Sequence, residues 1–339
     1  MRGKILTFIL AATAALALFP ASVPAAAPVE LKFAVPAPPS SPVNLRGVTP
    51  WGKKVEQDAK GTVSVKVFAG ATLGNFSNIY ERTVAGVTDM AFGIFGPLGT
   101  EFRKVQVAAL PFEAKDTVEA GTALWRLHES GLLADEFSKV KVLALFAFPH
   151  AGIHANKPVR KVEDLKGMKI VTSTRSMGQL ITALGGSPMS STPTEYYMSV
   201  SRGVADGIAV GWSAVKSFKL YEVTKFHLET ESGLFTAYLL MNKNSYARLP
   251  GAAKQAIERH SGKPLFDEMS RITDRLETEG RAETAVLPGH TIVPLAPDEA
   301  ARWQAAAKPI VDEWVRRTPN GAKILAAFRK EIEKIRAGK

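Results

Sequence analysis

Two short stretches near the start, 29–35 and 63–68, alternate apolar and polar side chains, the period-two mark of half-buried strands. The run 142–148 is almost unbroken in its apolar character, as expected of a strand covered on both faces. Further strands are predicted over 168–172, 235–241 and 290–295, and the helical period appears over 51–59, 117–130 and 176–184. Beyond residue 250 the pattern becomes strongly helical. Helices are expected over 252–259, 265–284, 298–317 and 321–336, with Gly262, Lys263 and Pro264 breaking the first from the second. Strand and helix alternate, so the chain reads as α/β.

One unit of this pattern occurs twice. Shifted by 117 positions, Tyr197 lies over Tyr80, Gly203 over Gly86, Val204 over Val87, Asp206 over Asp89, and Trp212 over Phe95. Each copy predicts a helix stopped at a glycine that accepts positive φ, a turn with Asp, then a short apolar strand. Thr192, Pro193 and Glu195 add a capping box with proline in the first turn. Ligands gather beyond the carboxyl ends of strands in open α/β sheets, where Phe95 and Trp212 are expected. The repeat therefore predicts two similar lobes, each offering an aromatic side chain to a shared cleft. Asp89 and Asp206 are expected to form turns.

The first residues stand apart from this pattern. Arg2 and Lys4 precede an uncharged run over 5–19, and small residues follow to Ala27. That run is short of the roughly 20 residues a spanning helix needs, so residues 1–25 read as a cleaved export leader. The chain has no cysteine, which excludes disulfides, thiol chemistry and a lipid-bearing cysteine. Its net charge is +11, scattered along the sequence, which weakly favours anionic ligands and gives no nucleic-acid patch.

Several phrases in order resemble the solute-binding proteins of TRAP transporters, the tripartite ATP-independent periplasmic systems. They include Trp51-Gly-Lys-Lys-Val-Glu, Val84-Ala-Gly-Val-Thr-Asp, Leu110-Pro-Phe and the stretch from Asn156 to Ile170. Ala183-Leu-Gly-Gly, Gly203-Val-Ala-Asp-Gly, Phe218-Lys-Leu-Tyr-Glu-Val-Thr-Lys and Leu240-Met-Asn-Lys follow. The resemblance implies a two-lobed periplasmic-binding-protein architecture with hinge strands and a long bridging helix. It also implies a small organic anion enclosed by lobe closure and passed to membrane permease subunits. The expected division is 28–150 with 240–282 as the first lobe, and 151–239 with 283–339 as the second.

Where the family usually carries a substrate-gripping arginine this chain has Val171, and where it usually carries an asparagine it has Val210. Arg175 looks like a second arginine found in one branch and becomes the expected anion contact. Phe95 and Trp212, with His150 and Phe148 at a strand end and with Phe76, Ser41 and Phe235, complete the expected ligand-binding set. The two losses suggest a less polar pocket than dicarboxylate binders use, suited to an aromatic or bulky monocarboxylate, with a neutral polar ligand as the alternative.

His150 and His154 are four apart, but Pro149 and Gly152 argue against the helix that would align them on a metal. The sequence holds no Gly-x-Ser-x-Gly elbow, P-loop or dinucleotide fingerprint. The expectation is a binding protein without cofactor or metal, periplasmic and monomeric. Service to a membrane sensor is the alternative partner, and an exported hydrolase or lyase using Asp89, Asp206 and His150 the alternative class.

Overall fold

The computed structural model of the protein describes residues 27–99 and 101–339; the expected leader lies outside them. Among the described residues there are eleven strands: β1 (Val29–Val35), β2 (Val63–Ala69), β3 (Met90–Ile94), β4 (Val140–Phe148), β5 (Gly152–Ala155), β6 (Lys169–Thr172), β7 (Ser187–Ser190), β8 (Gly207–Val210), β9 (Phe226–Glu229), β10 (Phe235–Asn242) and β11 (Thr291–Pro294). They form one sheet in the order β2-β1-β3-β10-β4 and another in the order β11-β9-β5-β8-β6-β7. Each sheet has one strand antiparallel to both its neighbours, β10 in the first and β5 in the second. β5 follows directly on the first sheet and β10 on the second, so the chain crosses between the lobes at both places.

The repeated unit holds the same post in both sheets. Asp89 accepts a hydrogen bond from the Lys32 N–H at 2.8 Å, and its own N–H donates to the Lys32 carbonyl at 3.0 Å. Asp206 does the same with Lys169, at 3.0 and 2.8 Å. Each aspartate thereby ties the turn before a strand to the neighbouring parallel strand. Gly86 and Gly203 stop the preceding helices with φ of 75° and 69°. The Thr192–Glu195 capping box is formed as expected.

Apolar clusters cover both faces of each sheet. The helix Lys263–Ala285 bridges the lobes. Its Leu265, Phe266 and Met269 sit in the first lobe's core, whereas Gly280 lies against the Trp212 carbonyl in the second.

Two parts of the expected division differ. All of β10, from Phe235 paired with Phe148 to Asn242 paired with Val140, belongs to the first sheet, whereas the expected division puts 235–239 in the second lobe. The last helix, Gly321–Arg336, also joins the first lobe. Its Ile324, Phe328 and Ile332 share a core with Leu124 and Leu127, and Arg336 clasps Glu119 at 2.8 Å. An apolar helical stripe fits any open apolar face; chain order does not say which sheet offers one.

Candidate functional site

A cleft lies between the lobes. The first lobe contributes a wall of aromatic rings: Phe76 packs edge-on to Phe92 with centroids 5.9 Å apart, and Phe148 meets Phe92 at 6.3 Å. Phe92 and Ile94 reach it because alternate residues of β3 share a face. The loop after β1 adds Ala37, Ser41 and Val43. The second lobe closes the opposite side with Ser173 after β6, Pro193 and Tyr196 on their capped helix, and Val210 and Gly211 at the end of β8. Ser213, Ser217 and Phe218 continue that wall, and Phe235 stands where β10 begins.

Among the described residues its lining holds five phenylalanines, four serines and no Arg, Lys, His, Asp or Glu. The lobes touch beside it. Ser176 Oγ donates to the Ala109 carbonyl across the gap at 3.1 Å, and a Cβ placed on Gly96 would lie 2.3 Å from the Ser173 carbonyl oxygen.

Four of the expected contacts, Ser41, Phe76, Phe148 and Phe235, meet at this cleft. The other four lie elsewhere. Phe95 is fully buried inside the first lobe, against Phe102 at 5.0 Å and Tyr238 at 4.8 Å. The chain leaves β3 in a helical turn, which drops this ring into the core one residue after Ile94. Trp212 opens a short helix and turns inward as well. Its indole N–H donates to Glu229 at 3.0 Å, and its ring packs on His154 at 4.7 Å and His227 at 4.9 Å. Phe95 and Trp212 therefore do not face each other across the cleft, as the repeat had led one to expect.

Arg175 is exposed. Its guanidinium reaches Glu313 at 3.3 Å in a separate groove, lined by both lobes, that shares Ser173 with the cleft. His150 belongs to the hinge: Nε2–H donates to the Lys115 carbonyl at 2.8 Å, and Nδ1 accepts from the Gly233 N–H at 3.2 Å. That pattern requires a neutral ring, and burial lowers its basicity accordingly. With Trp212, Glu229, Glu277 and Arg281 it borders a second, open hollow behind the hinge. Neither Asp89, Asp206 nor His150 reaches the cleft, so the acid/base grouping imagined for a hydrolase is not assembled there.

Sequence reasoning missed Phe92, Ile94 and Tyr196 above all. The first two were accessible through strand parity, since β3 places 92 and 94 on one face and 95 beyond its end. For Tyr196 the capped helix start gave the element, while the face it presents depends on how that helix docks.

The Glu277 carboxylate supports the second wall from behind. It accepts the Trp212 N–H at 2.7 Å and the Ser213 N–H at 2.8 Å, and burial pushes its pKa up to about 7 against the opposing effect of those two donors.

Comparison with known proteins agrees with this geometry. Residues 33–318 match the family model DctP, bacterial extracellular solute-binding protein, family 7. The C4-dicarboxylate-binding periplasmic protein DctP of Rhodobacter capsulatus is 27% identical over 91% of this chain and 92% of its own. A marine metagenome TRAP solute binding protein specific for aromatic acid ligands, from an unidentified microbe and crystallised with 3-hydroxybenzoate, superposes with a TM-score of 0.86. It is 27% identical, with 91% of this chain and 98% of that one covered. A TRAP solute binding protein from Rhodoferax ferrireducens T118 with copurified benzoate gives a TM-score of 0.85 at 28% identity, covering 90% and 98%. Two lobes, two crossings, a bridging helix and an interlobe cleft recur with a family match over most of the sequence: this chain belongs to the bacterial extracellular solute-binding proteins of family 7, the solute-binding subunits of TRAP transporters.

Proposed function

We propose that this protein captures a small aromatic monocarboxylic acid between its lobes and delivers it to the permease subunits of a TRAP transporter. The observation that carries the reading is the composition of the cleft, five phenylalanines and a tyrosine with no charged side chain. Burying an aromatic ring there stabilises the complex by roughly 2–3 kcal/mol, with about 0.5–1.5 kcal/mol more for edge-to-face contact. A dicarboxylate brings two charges, each costing several kcal/mol to desolvate, and this lining offers no cation to offset them. Aromatic acids bound by two structural relatives point the same way.

Ligand touching both walls favours the closed arrangement, because those contacts exist together only when the lobes meet. The reading also includes an exported mature chain, released from a leader at residues 1–25 and acting as a monomer. It takes the anion contact away from Arg175 and keeps Ser41, Phe76, Phe148 and Phe235 as ligand contacts.

Thermal unfolding with benzoate, 3-hydroxybenzoate, mandelate and succinate tests the proposal. At about 100 times its dissociation constant a ligand stabilises by roughly 2.7 kcal/mol. An upward shift is expected from an aromatic acid and none from succinate. Stabilisation by succinate alone would refute the reading.

A further inference from the structure

We infer that Tyr196 reads the polar head of the ligand, its phenolic O–H donating to a carboxylate turned toward the second lobe; this rests on the aromatic-acid reading above. Tyr196 is fully buried yet lines the cleft, and its hydroxyl has no hydrogen-bond partner among the described residues. Ser173, another lining residue, is the neighbour of that hydroxyl. Buried polar groups are nearly always paired, so an unpaired donor at the wall of a cavity marks where an acceptor belongs. Tyr238 and Trp303 also carry unpaired buried donors, but neither borders the cleft.

The two walls differ in kind. The first lobe supplies Phe76, Phe92 and Phe148 with the single hydroxyl of Ser41, whereas Ser173, Tyr196, Ser213 and Ser217 stand on the second with the single phenylalanine Phe218. That asymmetry sets the ligand's direction, with the ring against the first lobe and the acceptor group against the hydroxyls. Burial holds the phenol above its usual range, so it stays protonated and meets an anion as a donor without repelling it. Recognition of the carboxylate by neutral hydroxyls, with no guanidinium in the cleft, follows. A ligand bearing a second carboxylate at the far end of the ring would press it into phenylalanine.

Calorimetric titration of benzoate into wild type and Tyr196→Phe tests this, alongside melting of each protein without ligand. Hydrogen bonds to charged groups weaken affinity by about tenfold to a hundredfold when lost, so Tyr196→Phe is expected to raise the benzoate Kd by that factor. Its ligand-free melting temperature should equal or exceed that of wild type, since Phe removes an unpaired hydroxyl. A Kd within twofold of wild type would overturn the inference. So would a lower ligand-free melting temperature, which would mean that the hydroxyl already has a structural partner. Failure of wild type to bind benzoate, 3-hydroxybenzoate or mandelate is a separate result, read without the variant, and removes the aromatic-acid reading itself together with this one.

Discussion

The Nδ1 atoms of His154 and His227 lie 2.9 Å apart, so one donates a proton to the other inside the second lobe. The direction is fixed from the ends. The Val210 carbonyl only accepts, so His154 Nε2 donates to it at 3.0 Å and His154 Nδ1 must accept from His227. His227 Nε2 then accepts from His290 Nδ1 at 2.9 Å, and His290 Nε2 accepts from the Lys225 ammonium at 2.9 Å. All three rings are neutral in this chain, and a further proton on any of them sets N–H against N–H. Val210, which receives the last bond, is itself part of the cleft wall.

Acid should therefore loosen the second lobe. Burial lowers the pKa of His154 and of His227; the neighbouring His154, His290 and Lys225 lower His227 further, and burial with Lys225 lowers His290, against a weaker opposing pull of Glu229 on His154. Folded pKa values below the ordinary 6.5 mean that the unfolded chain takes up protons first as pH falls. Stability is present above about pH 6.5 and is lost below it, at about 1.4 kcal/mol per pH unit for each of the buried rings His154 and His227. In urea denaturation at pH 7 and pH 5, His227→Gln should lose less stability than wild type, by about 2 kcal/mol. Equal losses would show that the ring is protonated in the folded protein.

Glu277 has the opposite sign. Its folded pKa of about 7 exceeds the ordinary 4.5, so the unfolded chain releases the proton first as pH rises. Its contribution to stability is present below about pH 4.5 and is lost as pH rises to about 7, to the order of 3 kcal/mol. Glu277→Gln should flatten that decline between pH 5 and pH 8, measured as unfolding free energy. An unchanged decline would assign it to other groups.

Gly96 permits the lobes to meet. Its added Cβ would collide with the Ser173 carbonyl of the other lobe, and that contact can be relieved by opening rather than by unfolding. Gly96→Ala should weaken benzoate at least tenfold while leaving the ligand-free melting temperature within about 2 °C, and small-angle scattering with ligand should report a larger radius than wild type. A variant that closes and binds normally would contradict this.

Phe148 lies half-buried where both lobes meet, packed edge-on to Phe92. Phe148→Ala should raise the benzoate Kd by about tenfold to a hundredfold, from lost ring contact and a wetter cleft. A change below twofold would place the ring of the ligand elsewhere.

Arg175, exposed and paired with Glu313, should tolerate Arg175→Ala with less than a twofold change in Kd. A loss of tenfold or more would return the anion to that guanidinium.

What the sequence by itself determined rests on neighbours along the chain. The alternation over Val29–Val35, the proline and glycine stops around Gly262 and the Thr192–Glu195 cap set their elements. The repeat around Asp89 and Asp206 marked two turns doing one job, because an aspartate after a helix-ending glycine bonds locally whatever lies beyond. Family resemblance added two lobes and a bridge.

Side-chain direction at element ends was decided elsewhere. A ring at a strand terminus points into a lobe or out of it according to the turn that follows, so Phe95 sank into the core while Ile94 kept the cleft. The last helix found the first lobe because that lobe, not its own neighbour in sequence, had an uncovered apolar face. Tyr196 met the cleft, and the histidines met one another, only because separate strands and helices were packed into register, and packing is a property of the assembled chain.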